Sequence, residues 1–275
     1  MKYNNWEECP IAEVLQIDSL FTWFRNKFSS GYKFGGEVHD FIEVVCVMSG
    51  SAGITADKDV HILTAGQMVI HEPNEFHNIW AADGEYEVLI CTFKASKFPR
   101  ISGVYSLYPD ELKEWGDIFT VAKQIFTFEG IGVSGILDGK TAQASAVVKR
   151  LESALIRIMD ADGVSKQSYK GGSAQNYIKI VTEMENNLSA ARTSEQLAEL
   201  CNMSVSSLEK TVRKYANAGA MELFNIMKIK RASELLQAGN SVKDVAYSLG
   251  YANPYYFSTS FKKHTGVSPS KWARR

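Results

Sequence analysis

The stretch "GYANPYYFSTSFKKHTG", residues 250–266, decides how this chain is read. It holds no acidic residue, opens on Gly250, passes through Asn253-Pro254 and closes on Lys262-Lys263 and Gly266. Glycine takes the left-handed backbone that ends a helix at little steric cost. Asparagine is a good N-cap, and proline fits the first helical position, where no amide hydrogen is needed. One helix therefore stops near residue 250 and another starts near 254, the spacing of a helix-turn-helix.

Working outward, a degenerate copy of this unit lies upstream. "LAELCNMSVSSLEKTVRK" starts at Leu197 and "VAYSLGYANPYYFSTSFKK" at Val245; each runs through a short helix and a turn into a longer helix ending in basic residues. Thr193 with Gln196, and Ser241 with Asp244, supply capping signals at the two starts. Between the units, "MELFNIMKIKRASELLQAG" reads as one helix stopped by Gly239-Asn240. Its roughly 18 residues span about 27 Å at 1.5 Å each. Adding the widths of the units sets two reading helices about 34 Å apart, one turn of DNA.

In the second unit Phe257 and Phe261 are four apart and face a core that Leu249 and Tyr251 close. Tyr255, Ser258, Thr259 and Lys262 fall on the opposite face, with Asn253 and Pro254 at the N-terminus that enters a major groove first. Lys262 and Lys263 suit phosphates. An ordinary amphipathic helix explains the phenylalanines equally well, but it explains the cap, the missing acids and the duplicated partner less well. In the first unit the reading helix runs from about Val205 to Tyr215 behind Ser204. Ser206, Ser207 and Lys210 face outward, with Arg213 and Lys214 near the DNA backbone. Glu209 either weakens base reading there or meets a cytosine amino group.

"SVKDVAYSLGYANPYYFSTSFKKHTGVSPSKW" (241–272) resembles the C-terminal signature of the AraC/XylS family of bacterial transcription regulators. The matching elements are A-x-x-x-G-[FY], Y-F-S, F-K-K-x-x-G and S-P-x-x-[WY]. The resemblance covers about residues 176–275. It implies two helix-turn-helix units on a long helix, with double-stranded DNA as partner and RNA polymerase as a further one. Thr259 and Lys210 stand where the family commonly has Arg, Val212 where it has Phe, and Asn217 where Gly usually ends the helix. Without those bidentate arginines the family's usual base preferences are not carried over.

Residues 33 to about 93 are rich in Val, Ile and Phe and punctuated by Gly, Asp, Asn and Pro, which predicts short strands in a small barrel or sandwich. Residues 110–126 and 138–160 have helical spacing; in the second, Ala146, Val147, Leu151, Ala154, Leu155 and Ile158 form a stripe. The polar segment 161–173 reads as a linker. Glu37, His39, Phe41 and Glu43 are evenly spaced, as on one strand face, with Gly31 before and Gly50 after. This pattern resembles the first cupin motif, with Glu37 in place of its first His, and "GQMVIHEPNEFHNI" (66–79) resembles the second. That resemblance implies a small β-barrel whose mouth takes a small-molecule effector. Glu37, His39, Phe41, Glu43, His77 and Trp80 are the candidate effector contacts, with His71 bordering and His61 in a loop. Two His with carboxylates also suit iron, manganese or zinc, although a regulator barrel usually works without metal, so no cofactor is assigned.

Composition sets the outer bounds. The chain has 275 residues, 45% apolar and 22% charged, with no 18-residue apolar run, so no membrane-spanning helix is expected. Cys9, Cys46, Cys91 and Cys201 lie far apart, as free thiols of a cytoplasmic protein do. Residues 1–175 carry a net −7 and residues 176–275 a net +6, which accounts for the −1 of the whole. An acidic front and a basic back place polyanion binding in the tail alone.

The expected architecture is α+β. A cupin-like β-barrel with a helical extension occupies residues 1–160 and a linker 161–173; an all-α DNA-binding domain of two helix-turn-helix units joined by a long helix occupies 174–275. The expected function is effector-controlled, sequence-specific transcription regulation by a homodimer paired through the 138–158 stripe, whose other reading is packing on its own barrel. The alternatives are a metal-dependent cupin enzyme with a DNA-binding tail and a nonspecific architectural DNA binder.

Overall fold

The computed structural model describes residues 8–99, 102–160, 171–190 and 193–274. Its front half consists of β1 (Gln16–Phe28), β2 (Ile42–Ala56), β3 (Asp59–Thr64), β4 (Gln67–His71), β5 (His77–Lys97), β6 (Gly103–Ser106), α1 (Pro109–Ala122), β7 (Phe126–Glu129), β8 (Gly132–Ile136) and α2 (Thr141–Asp160). The strands form one antiparallel sheet in the order β6-β4-β2-β5-β1-β8-β7, with β3 paired to β2. Among the described residues no pairing joins the end strands β6 and β7.

The unbroken apolar run of β2 is explained by burial on both faces. Val44 and Cys46 pack with Trp23, Trp115 and Leu151 under the helices. Val45 and Val47 face the other way, into a core with Ile54, Val69, Tyr86 and Val88. The pairing of β2 with β5 shifts register between Val47 and Ala52. Gly50 sits at that corner with φ +74°, where a Cβ would lie 2.1 Å from the Glu85 carbonyl oxygen, so only glycine fits.

Several expectations are corrected. β1 lies ahead of the expected strand region, and the β7–β8 hairpin begins inside what reads as helix. His61 is buried in β3, not in a loop. Glu37 reaches His77 through an isolated bridge, and β2 starts only at Ile42, so Glu37 to Glu43 do not share one strand. The stripe of α2 lies on its own chain: Val147, Leu151, Ala154, Leu155 and Ile158 are buried beside Trp115 and Phe119 of α1. It therefore offers no face to a twin, and Ala146 is exposed. Of the expected linker, 161–170 lies outside the described residues and the next helix already starts at Gly172.

The back half comprises α3 (Gly172–Asn186), α4 (Ser194–Leu200), α5 (Val205–Ala216), α6 (Ala220–Gln237), α7 (Val242–Ser248), α8 (Pro254–Thr265) and α9 (Pro269–Trp272). Local signals set most ends. Thr193, Ser204, Ser241 and Ser268 each cap the helix that follows. The Asn253 side chain accepts from the amides of both Tyr255 and Tyr256 at 3.0 Å. Asn217 ends α5 with φ +50°, the left-handed role glycine more often fills. α6 is shared between two cores. Leu223, Phe224 and Met227 pack with α3, α4 and α5, while Ile229, Ala232 and Leu236 pack with α7, α8 and α9.

The two halves are in contact. Val60 and Phe76 of the sheet domain are buried in the same cluster as Tyr177, Tyr215 and Phe224. Lys230 of α6 pairs with Asp57. The Tyr215 carbonyl, at the end of α5, accepts from Thr55 Oγ1 at 2.6 Å and Asn78 Nδ2 at 2.8 Å. The last carbonyls of a helix lack intrahelical donors, so here the sheet supplies them.

Candidate functional site

Four of the six expected effector contacts converge. The donor atoms of Glu37, His39, Glu43 and His77 all lie within 4.8 Å of one another. Glu43, on the inner face of β2, stands 3.7 Å from His39 Nε2 and 3.5 Å from His77 Nε2; Glu37 is 3.8 Å from His77 Nε2. His39 Nδ1 donates to the Phe41 carbonyl at 3.1 Å and His77 Nδ1 to the Glu75 carbonyl at 2.9 Å. Phe41 stacks on His39 at 3.7 Å and on Phe21 at 4.5 Å. His71 is fully buried behind His77 and bonds Glu75 at 2.6 Å. Trp80 is placed elsewhere: its ring lies under Gly53 and edge-on to Tyr215, at the contact between the halves.

Opposite charges face one another in the cluster. Burial opposes a charge on His77, but Glu43 and then Glu37 outweigh it and raise this imidazole to about 9. Burial likewise opposes the Glu43 carboxylate, yet the neighbouring histidines, His77 foremost, hold it below its ordinary value. Burial drives His71 well below the usual imidazole range.

Glu37, His39 and Phe41 also line a cavity of about 590 Å³ between the two halves. Its far wall is built by the back half, from Ser233 and Lys230 of α6, Lys263 and His264 of α8, and Trp272. The sequence reading missed this wall, because it is formed by residues nearly two hundred positions from the cluster.

The second candidate surface lies on α5 and α8. Ser206, Ser207, Lys210, Arg213 and Lys214 are all exposed. Glu209 does not face a groove: its carboxylate accepts from the Ala220 amide at 3.3 Å and caps α6. On α8, Tyr255 is 76% exposed, and Thr259, Lys262 and Lys263 are exposed as well. Asn253, Pro254 and Ser258 are half-buried. The Asn253 oxygen is occupied by capping, and the Ser258 and Thr259 hydroxyls donate to the carbonyls of Pro254 and Tyr255, leaving their oxygens free to accept. Tyr256, absent from the sequence reading, is 62% exposed beside Tyr255. Its exposure was hidden by the expectation of a single open face.

A sheet-rich domain with a polar cavity, joined to a double helix-turn-helix, defines a DNA-binding transcription regulator with a ligand-binding front domain. Residues 29–145 match the AraC-like ligand binding domain and residues 197–275 the helix-turn-helix domain. The chain belongs to the AraC family of transcription regulators. It is similar to the Msm operon regulatory protein of Streptococcus mutans, 23% identical over 251 residues, 90% of this chain and 89% of that one. It is also similar to the raffinose operon transcriptional regulatory protein RafR of Pediococcus pentosaceus, 28% identical over 130 residues, 47% of this chain and 46% of that one. Among solved structures, unsaturated-fatty-acid-bound ToxT from Vibrio cholerae covers 94% of this chain and 96% of its own at 16% identity, with a TM-score of 0.37.

Proposed function

We propose that the effector of this regulator occupies the cavity between the two halves, held by Glu37, His39 and Phe41 on one side and by Ser233, Lys263 and His264 on the other. The observation that carries this reading is the dual lining of that cavity. A molecule bound there touches the end of α8 directly. It alters the arrangement of the reading helices only to the extent that it binds one arrangement better than another. An aromatic wall beside mixed donors and acceptors suits a polyhydroxylated compound, and the raffinose operon relative makes saccharides the first class to screen. Double-stranded DNA is met by α5 and α8, with Tyr255 reading bases and Lys262 on phosphates. The site of action is the cytoplasm; among the described residues no helix is long and apolar enough to cross a membrane. Homodimer formation and contact with RNA polymerase belong to the same reading, the dimer now requiring a surface other than the α2 stripe. The near-neutral total charge of −1 disfavours a nonspecific architectural binder. The regulator relatives disfavour an enzyme.

The test is a thermal-shift screen of mono- and disaccharides on the full chain, followed by gel shifts with each hit. A hit that stabilises the wild type, changes its DNA affinity and loses its effect in Phe41→Ala supports the reading. A hit whose stabilisation is unchanged in Phe41→Ala and Ser233→Ala contradicts it.

A further inference from the structure

We propose that Ser173, in the first turn of α3, is a positioning residue for DNA binding: it holds the Lys214 ammonium of the first reading helix ready for a phosphate. The inference rests on the reading that α5 meets DNA, and adds to it a residue outside both helix-turn-helix units. Lys214 Nζ donates to Ser173 Oγ at 2.7 Å, across 41 positions of sequence. Ser173 Oγ in turn lies 2.5 Å from Tyr215 Oη. The same ammonium stands over the Tyr215 ring, 4.9 Å from its centroid. Tyr215 is anchored: it is buried, packs against Tyr177, and its carbonyl accepts from Thr55 and Asn78 of the sheet domain.

The bond from Lys214 to Ser173 fixes the lysine without using up its charge. An ammonium carries three donors, so two remain once Ser173 is served. Both side chains are exposed, which leaves those donors open to a phosphate. Arg213, one residue earlier, is placed differently: its guanidinium stands 3.7 Å from the Glu209 carboxylate, an anion that DNA must compete with. The serine oxygen is neutral and need not be displaced. A lysine stem loses rotamer freedom when its ammonium is fixed, and a side chain ordered beforehand avoids part of that loss on binding.

The duplicated unit uses the same position in another way. Aligning the buried Leu208 and Val212 of α5 with Phe257 and Phe261 of α8 sets Lys263 at the place of Lys214, and His264 at that of Tyr215. Lys263 and His264 line the cavity between the halves. Lys214 and Tyr215 instead close a chain that runs from the sheet domain through the end of α5 to the start of α3.

The experiment titrates the full chain into a random-sequence DNA duplex at several salt concentrations, with affinity read by fluorescence anisotropy. Lys214→Ala is expected to weaken binding and to lower the salt slope by about one. Ser173→Ala is expected to weaken binding by roughly two- to tenfold with the slope unchanged, because the phosphate contact remains but must be ordered on binding. Ser173→Thr keeps the hydroxyl and is expected to restore wild-type affinity. In a Lys214→Ala background, Ser173→Ala should cost nothing further, whereas a residue needed only for the fold would cost the same in both. The inference is overturned if Ser173→Ala binds as the wild type does, if Ser173→Thr is no better than Ser173→Ala, if the loss persists undiminished without Lys214, or if Lys214→Ala leaves affinity and slope unchanged. Each of those results sinks this inference alone; a wild type that fails to bind the duplex even at low salt sinks the DNA reading of α5 with it.

Discussion

Gly250 and Gly266 make a matched pair. Both have left-handed backbones, with φ +74° and +76°. A Cβ at Gly250 would stand 2.4 Å from the Ser189 carbonyl oxygen, whereas one at Gly266 meets nothing within 4 Å. Gly266→Ala should therefore cost only the left-handed strain, about 1–2 kcal/mol, and Gly250→Ala distinctly more. Urea denaturation followed by circular dichroism measures both; equal losses would mean that the segment around Ser189 gives way. Asn253→Ala removes a cap shared by two amides and should cost about 1 kcal/mol in the same assay. Functional roles separate at this scale too. Tyr255→Ala should change which sequences are preferred, while Lys262→Ala should weaken all sites alike and lower the salt slope by about one. If both variants behave alike in binding titrations across salt, the division into base and phosphate contacts is wrong.

Among the elements, α5 matters most, because it is both a reading helix and part of the contact with the sheet domain. The buried Tyr215 carbonyl at its end has two donors, Thr55 and Asn78. One donor satisfies it, so Thr55→Val and Asn78→Ala should each cost about 1 kcal/mol or less. The double variant leaves the carbonyl unanswered and should lose more than the sum, by about 1–3 kcal/mol. Denaturation of the four proteins tests this, and simple additivity would contradict it. The same element shows what sequence can and cannot disclose. Helix ends in the back half were legible because Ser204, Asn217, Asn253 and Gly250 act within three or four residues of themselves. β1 was not, because its pairing with β5 slips register at Ile17, Ser19 and Thr22, which breaks the alternation a strand would show. The β7–β8 hairpin hides in a glycine-rich segment with little side-chain pattern.

On the scale of the whole molecule, the resemblance to two cupin motifs named Glu37, His39, Glu43 and His77, which do converge, whereas the even spacing misled, since Glu37 arrives by a bridge and not by a shared strand. The cavity wall was not legible, since Ser233, Lys263 and His264 reach it only once α6 packs on the sheet domain. The acidic front and basic back follow this division of labour. The cationic residues Lys210, Arg213 and Lys214 of α5 and Lys262 and Lys263 of α8 are exposed. α6 serves both cores and ties the two reading units together.

The most direct test of the account is selection of binding sites from random duplex DNA by the full chain at moderate salt. Two reading helices on one rigid spacer predict an enriched motif of two unequal blocks, centred about one helical turn apart, with Tyr255→Ala altering only one block. A single block, or no enrichment over the starting pool, would contradict it.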